Sequence, residues 1–282
     1  MEILVTIQEM REWVAAKKAQ RKKIGFVPTM GFLHKGHLEL IKRARAGCGA
    51  VVVSIFVNPM QFGRNEDFSA YPKDLERDQQ LAEWAGADVI FLPEAEEIYP
   101  PDFLSFVEVP KLSEVLCGAE RPGHFRGVCT VIAKFLNLIQ PDELFLGEKD
   151  AQQLLILETM IRDLNFPVAV VSVPTVREAD GLALSSRNSY LNAKERQAAS
   201  FIYKALAHAR DLIRRGEFSA PVIISEIKRI MSSHPQVAWE YVEVVDAKTL
   251  EEVIELKGDV MIAVAAHVGK ARLIDNLRLR VG

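Results

Sequence analysis

The sequence predicts an α/β protein: a doubly wound, Rossmann-like parallel sheet followed by a smaller C-terminal α+β domain. Three observations carry this expectation. Short apolar runs of strand length alternate with segments of helical periodicity as far as residue 173, and near-continuous apolar strands suit a sheet covered on both faces. A repeated β-α-β order selects parallel neighbours joined by right-handed crossovers. After Pro174 the order changes to a polar loop, then helices, then strands. That switch divides the chain into domains spanning 1–175 and 176–282.

Taken in order, residues 7–20 have the spacing of an amphipathic helix that leads into the first predicted strand, 24–27. Pro28-Thr29-Met30-Gly31-Phe32-Leu33-His34-Lys35-Gly36-His37 follows, and Leu38, Ile41 and Arg45 then recur at helical spacing. Gly47-Cys48-Gly49 breaks this helix before a second strand, 50–57, rich in β-branched residues. Asn58-Pro59-Met60-Gln61-Phe62-Gly63 occupies the loop at its C-terminal end. A helix over 74–85 and a third strand over 88–92 precede an acidic, proline-containing loop over 93–101. Residues 105–109 form a candidate extra strand, 122–127 a loop and 128–139 a helix. A strand at 143–146, a cap at 147–150, a helix over 151–165 and a strand over 168–173 complete the series. The second domain reads as a loop through 176–188, helices over 193–215 and 220–232, and strands near 239–245, 259–266 and 272–279.

Composition narrows the function. Apolar residues at 49% and charged residues at 26% are ordinary for a globular protein. A net charge of −3 supplies no general attraction for nucleic acid or an anionic membrane surface. Lys17, Lys18, Arg21, Lys22 and Lys23 read as a solvated helix face. The longest apolar runs, near 51–53 and 261–266, are far shorter than the roughly 20 residues that span a bilayer, and Met1-Glu2-Ile3 opens without a basic segment or a small-residue cleavage site, so no signal peptide is expected. Cys48, Cys117 and Cys129 are odd in number and lack Cys-x-x-Cys spacing, which argues against a disulfide frame and a zinc site. A reducing, cytoplasmic compartment is expected.

The chemistry collects after the first predicted strand. Strand, glycine-containing turn and helix leave backbone N–H groups at the helix start, facing whatever binds above the strand. His34 and His37 stand three residues apart, so both imidazoles can point the same way there. Histidines beside a helix N-terminus suit a polyphosphate. The same residues also admit a helix cap with a packed histidine, and a metal site would want a third ligand that no nearby residue supplies. Four polar segments fall at predicted strand ends: 34–37, 58–61, 147–150 and 185–187. In a parallel sheet such ends share one edge. Lys149 and Arg187 suit phosphate oxygens, and Ser185 and Ser186 add hydroxyl donors. Gln61 and Gln153 are neutral amides that donate and accept, as a small hydroxy-carboxylate requires. Each group alone has a structural alternative: an exposed helix Gln, a surface charge cluster around Lys149, a helix-entry loop at 185–188.

Together these motifs resemble the pantoate–β-alanine ligase (pantothenate synthetase) family, within the nucleotidyltransferase superfamily that carries a His-x-Gly-His signature. The resemblance covers nearly the whole chain, through residues 28–37, 58–63, Tyr71-Pro72, 122–127, Gly147-Glu148-Lys149-Asp150, Gln152-Gln153 and 184–188. It implies that Met30, Gly31, Phe32, Leu33, His34, Lys35, Gly36 and His37 line an ATP site. Gly147, Glu148, Lys149, Asp150, Leu184, Ser185, Ser186 and Arg187 would complete it, with the backbone of Val176 at the adenine. His37, His34 and Lys149 are the implied catalytic groups, Gln61 and Gln153 hold pantoate, Gln61 also lies near β-alanine, and Asn58 and Tyr71 contribute secondarily. Mg²⁺ dependence, without identified protein ligands, and a homodimer are implied as well. The implied activity is ATP-dependent condensation of (R)-pantoate with β-alanine through a pantoyl adenylate, releasing AMP and pyrophosphate, with the C-terminal domain as a lid against water. Two rivals stand beside it. A nucleotidyltransferase acting on a phosphate ester would want cations in place of Gln61 and Gln153, and a nucleotide sensor would be expected to lack one of the catalytic groups.

Overall fold

In the computed structural model, which describes residues 1–63 and 66–282, six strands pair in parallel. They are β1 (Glu2–Leu4), β2 (Ile24–Thr29), β3 (Ala50–Ile55), β4 (Val89–Phe91), β5 (Glu143–Gly147) and β6 (Ala169–Val173). Between them run α1 (Ile7–Ala19), α2 (Lys35–Gly47), α3 (Leu75–Ala85), α4 (Ala95–Ile98), α5 (Cys117–Glu120), α6 (His124–Ile139) and α7 (Ala151–Asp163). The sheet order is β1-β4-β3-β2-β5-β6. The order turns back between β2 and β5, and open parallel sheets bind ligands beyond the strand ends at such a point.

Alternation along the strands supplies two apolar faces. Val51, Val53 and Ile55 of β3 face one way and join Leu38, Ile41 and Ala44 of α2 and Ala82 and Ala85 of α3 in one cluster. On the other face, Phe135 of α6 gathers the aromatic side chains. Its ring lies edge-on at 5.9 Å from Phe26, 5.8 Å from Phe56 and 5.7 Å from Phe91, centroid to centroid. Phe26 belongs to β2 and Phe91 to β4, so one side chain ties α6 to separate strands.

The chain divides into two compact units. One comprises 1–114, 118–148 and 152–174; the other comprises 115–117, 149–151 and 175–282. The second contains α8 (Ala193–Arg214), α9 (Ala220–Ser232) and an antiparallel sheet of β7 (Val237–Asp246), β8 (Gly258–Val268) and β9 (Ala271–Val281), in that order. Ala198, Ile202, Ala205 and Ala209 recur at helical spacing on α8, while Ile262, Val264 and Ala266 alternate on β8; all are buried in one core. Asn192 starts α8 with a reciprocal cap involving Glu195.

Several elements differ from expectation. The strand at 24–27 is not the first, because Glu2–Leu4 pairs with β4 at the sheet edge; three residues are too few to show a period. No strand forms at 105–109: Val107 donates to the Thr130 hydroxyl at 3.0 Å instead of to a neighbouring strand. Helix α6 starts at His124, not 128, after Gly123 adopts φ +83° at its cap. A single turn, α4, interrupts the loop at 93–101. The hairpin of β8 and β9 is tighter than expected, with Val268 paired to Ala271 across Gly269-Lys270. Gly269 supplies the φ of +58° that such a turn favours. The polar segment 185–187 does not sit at a strand end: β6 stops at Val173, and Ser185 belongs to the second unit.

Replacing Phe135 with Ala should destabilise the protein by about 3–5 kcal/mol, the usual result of emptying a buried aromatic site. Urea unfolding followed by circular dichroism measures it; a loss below about 1 kcal/mol would show that the surrounding rings close over the gap.

Candidate active site

In the first unit, the loop leaving β2 is held by a carboxylate. Gly31 and Phe32 both have positive φ, +86° and +50°, so their peptides turn inward. The Phe32 N–H donates to Asp78 Oδ2 at 2.7 Å and the Leu33 N–H to Asp78 Oδ1 at 2.6 Å. Asp78 lies on α3 and is 1% exposed. Burial pushes its carboxyl up, against the downward pull of the Leu33 and Phe32 N–H groups and of Arg77. Arg77 donates to the Leu33 carbonyl at 3.0 Å and stands over the Phe32 ring. A side chain on Gly31 would press on Ile55 and on Asp78 itself. Sequence reasoning missed Asp78. Its signal was a charge in register with Ala82 and Ala85 on the buried stripe of α3.

The two histidines cap α2 reciprocally. His34 Nδ1 accepts the Gly36 N–H at 3.1 Å, and His37 Nδ1 accepts the His34 N–H at 3.3 Å. Their rings stack at 3.9 Å. A Cβ on Gly36 would come within 2.9 Å of the His34 ring, so glycine permits that approach. With each Nδ1 accepting, the neutral tautomer has its proton on Nε2. The helix-cap reading and the phosphate reading are therefore compatible, since the cap engages each ring through Nδ1 and leaves the proton on Nε2.

Gln61 ends a 3₁₀ turn, Pro59–Gln61, that follows β3. Its amide donates to Met30 Sδ at 3.2 Å and accepts from Asn58 Nδ2 at 3.1 Å. Asn58, buried, also donates to the Gly127 carbonyl at 3.0 Å and accepts from the Tyr99 hydroxyl at 2.9 Å and from the Met60 N–H. A Cβ on Gly127 would lie 2.4 Å from the Met60 carbonyl oxygen, so α6 meets this turn backbone to backbone. His124 Nδ1 lies 2.8 Å from the Gln61 carbonyl, to which Arg121 donates at 3.2 Å. Arg121 also grips Glu66 through two nitrogens, at 2.7 and 2.5 Å. Burial raises the Glu66 carboxyl, but Arg121 outweighs it and holds the group below its ordinary range. A cavity of about 430 Å³ opens here, lined by Gln61, Arg121, His124 and Arg126 among others. Tyr71 is buried against the edge of Phe62.

The glutamine pair at the start of α7 divides its work. Gln152 is buried and donates to the Leu112 carbonyl at 2.9 Å; Gln153 is half-buried and carries no such bond among the described residues. Gly147 ends β5 and Glu148 follows it. Leu33 is fully buried in the core and both of its backbone polar groups are engaged, while Lys35 is exposed.

The remaining residues belong to the second unit. Lys149 Nζ lies 3.7 Å from Asp150 Oδ1, and its carbonyl accepts from Asn276 Nδ2 at 2.9 Å. The Val176 carbonyl accepts the Leu184 N–H at 3.0 Å, closing the neck of a loop. The Ser185 hydroxyl caps the 3₁₀ turn Ser186–Tyr190 by accepting the Arg187 N–H at 3.3 Å, and Ser186 is buried. Among the described residues no three His, Cys, Asp or Glu side chains gather as a metal cluster, and no helix is long and apolar enough to cross a membrane.

Comparison with known proteins gives a consistent result. The family model for pantoate–β-alanine ligase matches residues 2–278. Pantothenate synthetase from Heliobacterium modesticaldum is 52% identical over 281 residues, 100% of each chain to the nearest per cent, and that of Moorella thermoacetica is 50% identical over 100% of this chain and 99% of the other. Among solved structures, pantothenate synthetase from Thermus thermophilus superposes with a TM-score of 0.94 at 44% identity over both full chains. Pantoate–β-alanine ligase from Francisella tularensis, solved in complex with β-γ ATP and β-alanine, gives 0.80 at 34% identity, covering 98% of this chain and 97% of that one.

Asp78→Asn should lose about 1–3 kcal/mol of stability, because one amide oxygen cannot replace two carboxylate oxygens beneath two N–H groups, one of them fully buried. Thermal melting reads the loss, and hydrogen exchange at Phe32 and Leu33 should rise with it. Unchanged exchange at those two amides would show that the loop holds its shape without the carboxylate.

Proposed function

The chain belongs to the pantoate–β-alanine ligase family, and on that premise we propose how its residues bring about the reaction. It is an ATP-using ligase of pantothenate biosynthesis that joins pantoate to β-alanine. A carboxylate is a poor electrophile, so amide formation requires a better leaving group. In our reading the pantoate carboxylate attacks the α-phosphate of ATP, giving pantoyl adenylate and pyrophosphate. The β-alanine amine then attacks the acyl carbon and AMP departs.

The observation that carries this reading is the reciprocal cap of His34 and His37 at the start of α2, where β2 meets β5 at the turn of the strand order. Two Nε2–H groups held in fixed positions, beside the N–H groups of a helix start, are pre-placed donors for charge developing on phosphate oxygens. Losing one such contact costs about 2–4 kcal/mol, or roughly a hundredfold to a thousandfold in rate. Gln61 and Gln153 take the hydroxyl and carboxylate of pantoate, and the cavity beside Gln61 gives β-alanine room to approach. Lys149, Arg187, Ser185 and Ser186 are assigned to phosphate oxygens by residue type and resemblance, and Val176 and Leu184 to the adenine.

Mg²⁺ keeps several waters and binds through one or two carboxylates plus phosphates, which asks little of the protein. Asp150, with its side chain about half exposed, fits that demand, and the ion would supply charge neutralisation at the phosphates. A homodimer and a reducing, cytoplasmic setting complete the proposal. Cys48, Cys117 and Cys129, all buried and none in a disulfide, support the latter.

Without β-alanine, the protein should exchange labelled pyrophosphate into ATP only when pantoate is present. His37→Ala should slow that exchange by about a hundredfold or more and slow aminolysis of supplied pantoyl adenylate far less. Exchange that requires β-alanine, or ADP as a product, would refute the adenylate.

Gln153→Ala should raise the pantoate KM much more than the ATP KM, since an amide offers phosphate no charge. Steady-state kinetics decide it, and equal effects on both substrates would remove Gln153 from the pantoate pocket.

A further inference from the structure

Two consecutive residues of β9 make contacts that the reaction as described does not use. Asp275 is 4% exposed, on the strand face that also buries Ala271 and Leu273. A carboxylate is a poor choice for a core position unless it is paired. Its partner is Arg177, which donates to Oδ2 at 2.6 Å and to Oδ1 at 2.9 Å in a two-pronged fork. The same guanidinium donates to the Gly181 carbonyl at 3.0 Å and lies 4.4 Å over the ring of Tyr203 on α8. Gly181, at φ +91°, runs so close to that ring that a Cβ would stand 1.9 Å from it. Arg177 also bridges to Ala183 across the loop whose neck is Val176 and Leu184. The loop is thus pinned to β9 and α8 by one side chain.

Asn276 points the opposite way, as the next residue of a strand must. Its amide donates to the Lys149 carbonyl at 2.9 Å, while its own N–H donates to Asp275 Oδ1 at 2.8 Å. That bond fixes the peptide from which the Lys149 side chain departs. Both contacts lie within the second unit. Burying an ion pair rarely improves on an apolar pair for stability, but it fixes a geometry.

We infer that Asp275 and Asn276 are positioning residues for nucleotide binding: Asp275, through Arg177, sets the 176–184 loop, and Asn276 sets Lys149. The inference rests on the assignment of Lys149, Val176 and Leu184 to the ATP site. One strand then holds two separate stretches of that site in a single register, and a slip of one residue would exchange the two faces.

The test is Asn276→Asp, which keeps the shape and removes the donor, with Asn276→Gln as the variant that keeps a donor. Asn276→Asp should raise the ATP KM or lower pantoate-dependent pyrophosphate exchange on the order of tenfold to a hundredfold, as a small misplacement does. The pantoate KM and the melting temperature should hold, and Asn276→Gln should recover part of the loss. Asp275→Asn should likewise act on ATP before pantoate; if it fails to fold, the Asn276 pair decides. Equal effects on ATP and pantoate, or none in a folded Asn276→Asp, overturn the inference. Lys149→Ala separates this from the reading beneath it. Should Lys149→Ala leave exchange intact, Lys149 leaves the ATP site and the inference falls with it. Should Lys149→Ala be crippled while Asn276→Asp is unaffected, only the positioning role is rejected.

Discussion

The first unit depends on a carboxylate placed where carboxylates are costly. Asp78 sits at 1% exposure beneath a loop that turns back on itself, and its two oxygens take two consecutive backbone N–H groups. Without it, the buried Leu33 N–H and the half-buried Phe32 N–H would lose the carboxylate they share. With it, the chain leaves β2 in a left-handed kink and reaches His34 oriented to begin a helix. Everything proposed for the phosphates follows from that orientation. The stacked rings, their shared tautomer and the helix N-terminus all start where the carboxylate releases the chain.

A second constraint operates around Gln61. Its amide is aligned by Asn58, and its carbonyl is held by Arg121 and lies within 2.8 Å of His124. Beneath this turn a glycine on α6 admits the carbonyl of Met60 closer than any side chain would allow. Helix α6 therefore serves both ends of the unit. Phe135 closes the sheet at its buried face, and Arg121 through Gly127, at or just before its start, hold the turn that carries Gln61. The motif at 122–127 read in sequence as a loop because proline and glycine open it, yet the helix begins inside it, at His124.

Much of the fold was legible because apolar periodicity states it directly. β3, with six buried residues in a row, reads as a covered strand, and α8 declares its length through its cap and repeating alanines. The His-x-Gly-His stretch left two readings open in sequence, a helix cap and a phosphate site, and the structure shows the cap. What could not be read was long-range. Nothing near Phe32 says that its N–H will meet residue 78, and nothing near Lys149 says that its carbonyl will meet residue 276. Three-residue strands such as β1 are set by the neighbour they pair with, and a segment like 105–109 can have strand composition yet spend its N–H on a threonine hydroxyl. Ser185 to Arg187 carry the right donors, but a polar segment does not reveal which unit will claim it.

The strand order also bears on how the molecule comes into being. β2 and β5 are adjacent in the sheet, and Ile24 meets Asp142 across a sequence separation of 118 residues. Parallel pairings of such range form late, because loop-closure entropy must be met before their contacts repay it. On a ribosome, β2, β3 and β4 can associate and α2 can be capped by its histidines while β5 is still unsynthesised. Until it emerges, β2 presents an unpaired edge beside the histidine cap of α2. The nascent protein thus exposes at its centre the seam that the finished one closes, and synthesis of residues 143–147 is the moment at which an aggregation-prone edge becomes an interior pairing of the sheet.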